Sequence, residues 1–189
     1  MRIALYLLVI FLPMLTGCGS MLATMEVDTI EEDQGERTWG SFVEDDNIET
    51  KARVNIHAAD DAFDQAHLNV VSFNGYVLLA GQVPSEALKN KATSVVREIR
   101  GVRRIYNELE VAAPSSGMTR SSDTWITAKV KSFLLANTDI EGNRVKVVTE
   151  DGVVYLMGLA TRDEAERIAA TASDIGGVQK VVKLFELLD

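Results

Sequence analysis

Cysteine is all but missing from this sequence: there is one in 189 residues, at position 18. A single thiol cannot close an intramolecular disulfide, and with only two histidines beside it no zinc finger can be completed. Basic charge is also short, with 19 Lys+Arg against 28 Asp+Glu and a formal net charge of −9. No overall basic field exists to hold a phosphate backbone, so no nucleic-acid partner is expected. The longest apolar run, Ile3 to Leu12, falls well short of the about 20 residues that a membrane-spanning helix needs. What the chain does have is aliphatic bulk. At 47% hydrophobic it can build one ordinary core or two small ones.

The amino terminus reads as an address. Met1-Arg2 is positively charged and the apolar run after it has the dimensions of a signal-peptide core, so residues 1–17 are set aside from the fold. Leu15-Thr16-Gly17-Cys18 then matches the lipobox of bacterial lipoprotein precursors. That resemblance implies cleavage before Cys18, diacylglycerol on its thiol and an acyl chain such as palmitate on the new amine. Several acyl chains anchor stably, since each buried methylene contributes about 0.8 kcal/mol. Gly19 is not the aspartate that retains lipoproteins in the inner membrane, which points to the outer membrane and a periplasm-facing protein. Residues 18–44 hold Glu26, Asp28, Glu31, Glu32, Asp33, Glu36 and Glu44 against Arg37 alone, and are expected to form a solvated, self-repelling tether. Trp39 and Phe42 are expected to pack back onto the first folded module.

Everything after the tether is written twice. Val70 to Gly81 aligns with Val147 to Gly158 at a constant offset; Ile48 and Lys51 pair with Ile126 and Lys129, and Ile99, Gly101 and Val102 with Ile175, Gly177 and Val178. So long a period suits two complete small domains, expected at 45–111 and 122–189 with a linker at 112–121 that contains Pro114-Ser115-Ser116-Gly117. Each copy reads helix, strand, strand, helix, strand. In the second, Asp123 is expected to cap a helix whose core stripe is Ile126, Val130, Phe133 and Leu134. Val145, Val147 and Thr149 alternate toward an Asp151-Gly152 hairpin turn, and Val154 and Leu156 follow on the return strand. Thr161 to Glu164 is a capping box, Gly176-Gly177 stops the helix it opens, and 178–187 is the last strand. In the first copy Asn74-Gly75 is the turn. The fold class is therefore α+β, each module being a three-stranded mixed sheet packed on two helices, with a right-handed crossover.

This layout and the stretch from Ser122 to Leu159 resemble the BON domain, a small periplasmic α/β module of αββαβ order. A lipobox, an acidic tether and two such modules together resemble the dual-BON outer-membrane lipoproteins. The resemblance implies a non-enzymatic protein that needs no cofactor, binds anionic phospholipid of the phosphatidylglycerol class, gathers at the division site and supports outer-membrane integrity. It also implies an association with the outer-membrane barrel-assembly machinery.

Helical geometry adds an argument of its own. At about 100° per residue, Trp125 lies about 125° from the centre of the expected core stripe, near Ala128, Ser132 and Leu135, with Lys129 alongside. A tryptophan beside Lys129 and Lys131 suits the headgroup layer, where an amphipathic ring and a long-stemmed ammonium are both at home. The wheel alone leaves a second placement, with Trp125 buried against the other module or the linker; the resemblance favours lipid. Asn47, at the equivalent place in the first module, has no such capacity, so the second module is the expected binder. An alternative class is a lipid-anchored protein–protein adaptor with Trp125 as its hot spot. Gly81 and Gly158, expected at the ends of equivalent strands, are read as structural, through close packing or positive φ. His57 and His67 flank Asp60, Asp61 and Asp64 without presenting three ligands on one side, so no metal site is expected. No Ser–His–acid set and no carboxylate dyad is held in place, so no catalytic residue is expected.

Overall fold

The computed structural model describes residues 37–188. The expected signal peptide, Cys18 and the expected tether up to residue 36 lie outside the described residues. The first module runs α1 (Trp39–Ala59), a 3₁₀ turn (Asp61–Gln65), β1 (His67–Phe73), β2 (Tyr76–Val83), α2 (Glu86–Arg97) and β3 (Arg104–Val111). The second runs α3 (Gly117–Ala136), a 3₁₀ turn (Gly142–Arg144), β4 (Lys146–Glu150), β5 (Val153–Met157), β6 (Leu159–Ala160), α4 (Arg162–Ser173), β7 (Lys180–Lys183) and β8 (Glu186–Leu187). In each module the hairpin pairs antiparallel and the strand after the second helix adds parallel, giving the orders β1-β2-β3 and β4-β5-β7. The fold is the α+β arrangement expected of a duplicated αββαβ unit.

Two helices close one face of each sheet. Ile48, Ala52 and Ile56 of α1 meet Leu88, Ala92 and Val96 of α2 over Val70, Val77, Leu79 and Leu109. Ile126, Val130 and Leu134 of α3 meet Ala165, Ile168 and Ala172 of α4 over Val147, Val154 and Leu156. The opposite faces are apolar too, and they cover each other. Val71, Phe73, Leu78 and Ala80 of the first sheet form one buried cluster with Val148, Tyr155, Met157 and Leu184 of the second. Polar pairs rim this contact: His67 Nε2 lies 3.2 Å from Glu150 Oε1, Lys146 Nζ lies 3.9 Å from Glu49, Asn74 Nδ2 donates to Glu186 at 2.6 Å, and both guanidinium branches of Arg103 reach the same carboxylate. That bidentate ion pair holds the Glu186 carboxyl below its usual range, whereas burial pushes Glu150 above it.

Several expectations are corrected here. Helix α1 starts at Trp39, capped by Thr38, whose hydroxyl accepts from the Ser41 amide, so residues 39–44 are helix and not tether. Helix α3 starts at Gly117, capped by Ser116, so the linker is shorter than 112–121 and Asp123 sits more than a turn inside the helix. Serines at 121 and 122 tolerate helix and present no break, which lets the better-placed Ser116 win the cap. The final strand is divided. Gly158 interrupts β5 and β6 while Leu184 and Phe185 separate β7 from β8, yet hydrogen bonds from Leu184 N to Leu156 O and from Glu186 N to Gly158 O carry the parallel pairing across the gap. Gly81 lies inside β2, not at its end, opposite Leu68. Its φ is +116°, and a Cβ there would stand 2.1 Å from the His67 carbonyl oxygen. Gly158 has no positive φ, and its Cβ would meet Arg144 O at 3.2 Å and the Phe185 ring at 3.3 Å.

Candidate functional site

The outer side of α3 is where the sequence places function, and its geometry begins with a buried carboxylate. Asp123 faces inward and its two oxygens accept from the amides of Asp151 and Gly152, each at 2.9 Å. Those residues adopt φ of 48° and 74°, the left-handed pair that a type I′ turn requires. The first module repeats the device: Asp45 accepts from Asn74 N at 2.8 Å, Gly75 N at 2.9 Å and Ser72 Oγ at 2.6 Å. A helix is thus pinned to the hairpin beneath it by one charged side chain in each copy, and the rotation of α3 about its axis is fixed.

With Asp123, Ile126, Val130 and Leu134 turned inward, the other side faces solvent. Trp125 is 65% exposed, Leu135 64% and Met118 84%. Phe133, expected in the core stripe, is 56% exposed. The buried line centres about 145° from Trp125, whereas Phe133 lies about 80° from it, at the shoulder of the exposed face. Three successive apolar residues, Phe133-Leu134-Leu135, cannot share one side of a helix, and that run was the signal for Phe133. Ala128 and Ser132 are exposed beside Trp125, and Lys131 is exposed farther round. Lys129 is half-buried: its Nζ stands 5.8 Å from the Trp125 ring centroid and donates to Gly176 O at 2.9 Å. Lys129 and Trp125 therefore hold one another, and Lys131 is the freer charge.

Other sequence candidates are dispersed. His57 Nδ1 approaches Asp64 at 3.3 Å, Asp60 pairs with Lys91 at 2.8 Å, and His67, in β1, pairs with Glu150. Among the described residues no group of three or more His, Cys, Asp or Glu could hold a metal ion, and no helix is long and apolar enough to cross a membrane. Asn47 is exposed on α1 and its amide donates to Val43 O at 2.9 Å. Trp39 does not pack onto the first module as expected; it is exposed and meets Phe42 edge to face.

Comparison with known proteins bears on this arrangement. The chain is 38% identical over 173 residues to the outer membrane lipoprotein DolP of Haemophilus influenzae, covering 92% of this chain and 86% of that one. It is 36% identical to a 21 kDa hemolysin of Actinobacillus pleuropneumoniae, over 78% of this chain and 76% of that protein. It is 28% identical to the osmotically-inducible protein Y of Escherichia coli, over 97% and 96% respectively. These similarities support an outer-membrane lipoprotein built of two BON domains. The BON domain model matches residues 44–113 and again 122–189. The chain belongs to the BON-domain family, which it represents in duplicate.

Proposed function

We propose that this protein is lipidated at Cys18, faces the periplasm from the outer membrane, and binds anionic phospholipid of the phosphatidylglycerol class through the outer face of α3. The observation that carries the reading is the set Met118, Trp125, Phe133 and Leu135, four large apolar side chains left in solvent on one helix, with the half-buried Lys129 among them and Lys131 at their edge. Rings of this kind are stabilised at the headgroup boundary, and an ammonium near the surface of an anionic leaflet contributes about 1 kcal/mol. The second BON domain carries eleven acids and eight bases, so the attraction is local to these lysines. Binding of this kind would support outer-membrane integrity and concentrate the protein where anionic lipid is enriched, including the division site. The relatives' names support the outer-membrane address, and no enzyme activity is proposed.

A second reading has one observation in its favour. Lys129 already donates to Gly176, which leaves the exposed set more apolar than cationic and suited to a protein hot spot, for instance on the barrel-assembly machinery. Trp125→Glu separates the two. On the lipid reading a soluble form without Cys18 binds pure phosphatidylglycerol vesicles and loses that binding at least tenfold on Trp125→Glu with an unchanged circular dichroism spectrum; undiminished binding removes Trp125 from the lipid account.

A further inference from the structure

The other tryptophan of the chain is more exposed than Trp125. Trp39 opens α1 with 86% of its surface in solvent, and Phe42 and Val43 follow at 52% and 57%. On the helix, Phe42 and Val43 project to either side of Trp39, each within about 60° of it, so the three form one apolar tip. The tip is held firmly. Thr38 caps the helix, the Trp39 and Phe42 rings stand edge to face at 6.2 Å, and Arg37 is fixed by Asp45 at 2.7 Å with its guanidinium 4.2 Å from the Phe73 ring and 5.2 Å from Phe42. Such ordering of exposed aromatics gains nothing for the fold's own core.

Two observations indicate what covers the tip. Only 19 positions separate Arg37 from Cys18, so acyl chains on Cys18 would keep Trp39 within a short reach of the bilayer. The tip also adjoins the α3 site. An open cavity of about 300 Å³ separates Trp39 and Phe42 from Asn143 and Arg144, and Gly142 beside them packs on the backbone of Leu134 and Leu135 at the end of α3. The charge pattern differs from that of α3. Asp46 and Thr50, both exposed, continue the same side of α1, no lysine flanks the tip, and the two arginines of the cavity are paired with carboxylates, Arg37 with Asp45 and Arg144 with Glu141.

We infer that Trp39, Phe42 and Val43 form a second membrane contact, an apolar peg that enters the outer-membrane leaflet beside the lipidated cysteine and is indifferent to headgroup charge. The inference rests on the lipidation of Cys18 proposed above but not on anionic lipid binding by Trp125. With one end of the protein held by acyl chains and the α1 tip seated next to them, the α3 set is presented to the same leaflet at high local concentration.

The test uses the full mature lipoprotein in vesicles carrying bromine on the acyl chains near the headgroup. Trp125→Phe leaves Trp39 as the sole indole, and Trp39→Phe leaves Trp125. In purely zwitterionic phosphatidylcholine, at low and high salt alike, Trp39 emission is expected to fall at least twofold, and Phe42→Asp with Val43→Asp to restore it. Unquenched Trp39 in these vesicles overturns the inference and leaves the tip to a protein partner; Cys18 found without acyl chains by mass spectrometry overturns it too. In phosphatidylglycerol vesicles, unquenched Trp125 beside quenched Trp39 refutes the α3 reading and sustains this one, whereas the converse does the opposite.

Discussion

Replacing Asp123 with alanine tests the idea that one carboxylate sets the orientation of the site helix. The side chain is buried, and its two oxygens take the amides of Asp151 and Gly152 at 2.9 Å each. A hydrogen bond to a charged group is worth about 1.5–3 kcal/mol, and the variant strands the buried Gly152 amide while the part-buried Asp151 amide turns to water, so the gross loss is at most about 3–6 kcal/mol. Alanine is the better helix former by about 0.6 kcal/mol, which offsets little. A net destabilisation of about 3–5 kcal/mol is expected, large beside the roughly 5–15 kcal/mol of an ordinary domain. Asp123→Asn keeps one acceptor and is expected to lose about half as much. Urea unfolding followed by far-ultraviolet circular dichroism reads both, and the alanine variant is expected to lower the midpoint without changing the slope much. A loss below about 0.5 kcal/mol for alanine, the scale of an ordinary surface change, would refute the clamp.

Three further outcomes follow from the same geometry. Gly81→Ala should destabilise far more than Gly158→Ala in thermal unfolding, because its Cβ would collide with backbone at 2.1 Å in a positive-φ conformation whereas that of Gly158 meets neighbours only at 3.2 Å and beyond. Glu150→Gln should raise stability at neutral pH and lose that advantage on acidification: burial raises the folded carboxyl's pKa, so the native state takes up a proton before the unfolded one and wild-type stability falls as pH rises through that window. Guanidinium unfolding at about pH 4 and about pH 7 measures the difference, and a gap of equal size at both refutes it. In a soluble form without Cys18, Phe133→Ser should weaken binding to phosphatidylglycerol vesicles several-fold while leaving the melting temperature within about 2 °C, since the exposed ring supports no core; a fall of about 10 °C would return Phe133 to the interior.

Much of the architecture could be read in the residues because the chain repeats itself. Asn74-Gly75 and Asp151-Gly152 mark the hairpins, the Thr161 cap opens α4, and the paired glycines Gly101 and Gly177 adopt φ of 92° and 105° at equivalent turns. What escaped were features in which tertiary contact outvotes local preference. Asp123 has the chemistry of a helix cap, but a carboxylate that can reach two turn amides is stabilised more by burial against them than by capping its own helix. The pairing of the two sheets was also hidden, although its trace is present in retrospect. Val70-Val71, Leu78-Leu79 and Val147-Val148 are consecutive apolar residues, and a strand wetted on one face would alternate instead. At the site, the placement of Trp125 on α3 followed from helical spacing, but Phe133 and Met118 did not, because hydrophobicity alone cannot say which side of a helix the interior will claim.

The mutual covering of the two sheets has a consequence for the duplication itself. A solitary copy would carry an uncovered greasy surface studded with Phe73 and Leu78, or with Tyr155 and Met157, and would seek a mate. Joining both copies on one chain turns that encounter into an internal event whose strength no longer depends on how much protein the cell makes. A severed half, mixed with its counterpart, should therefore reassemble.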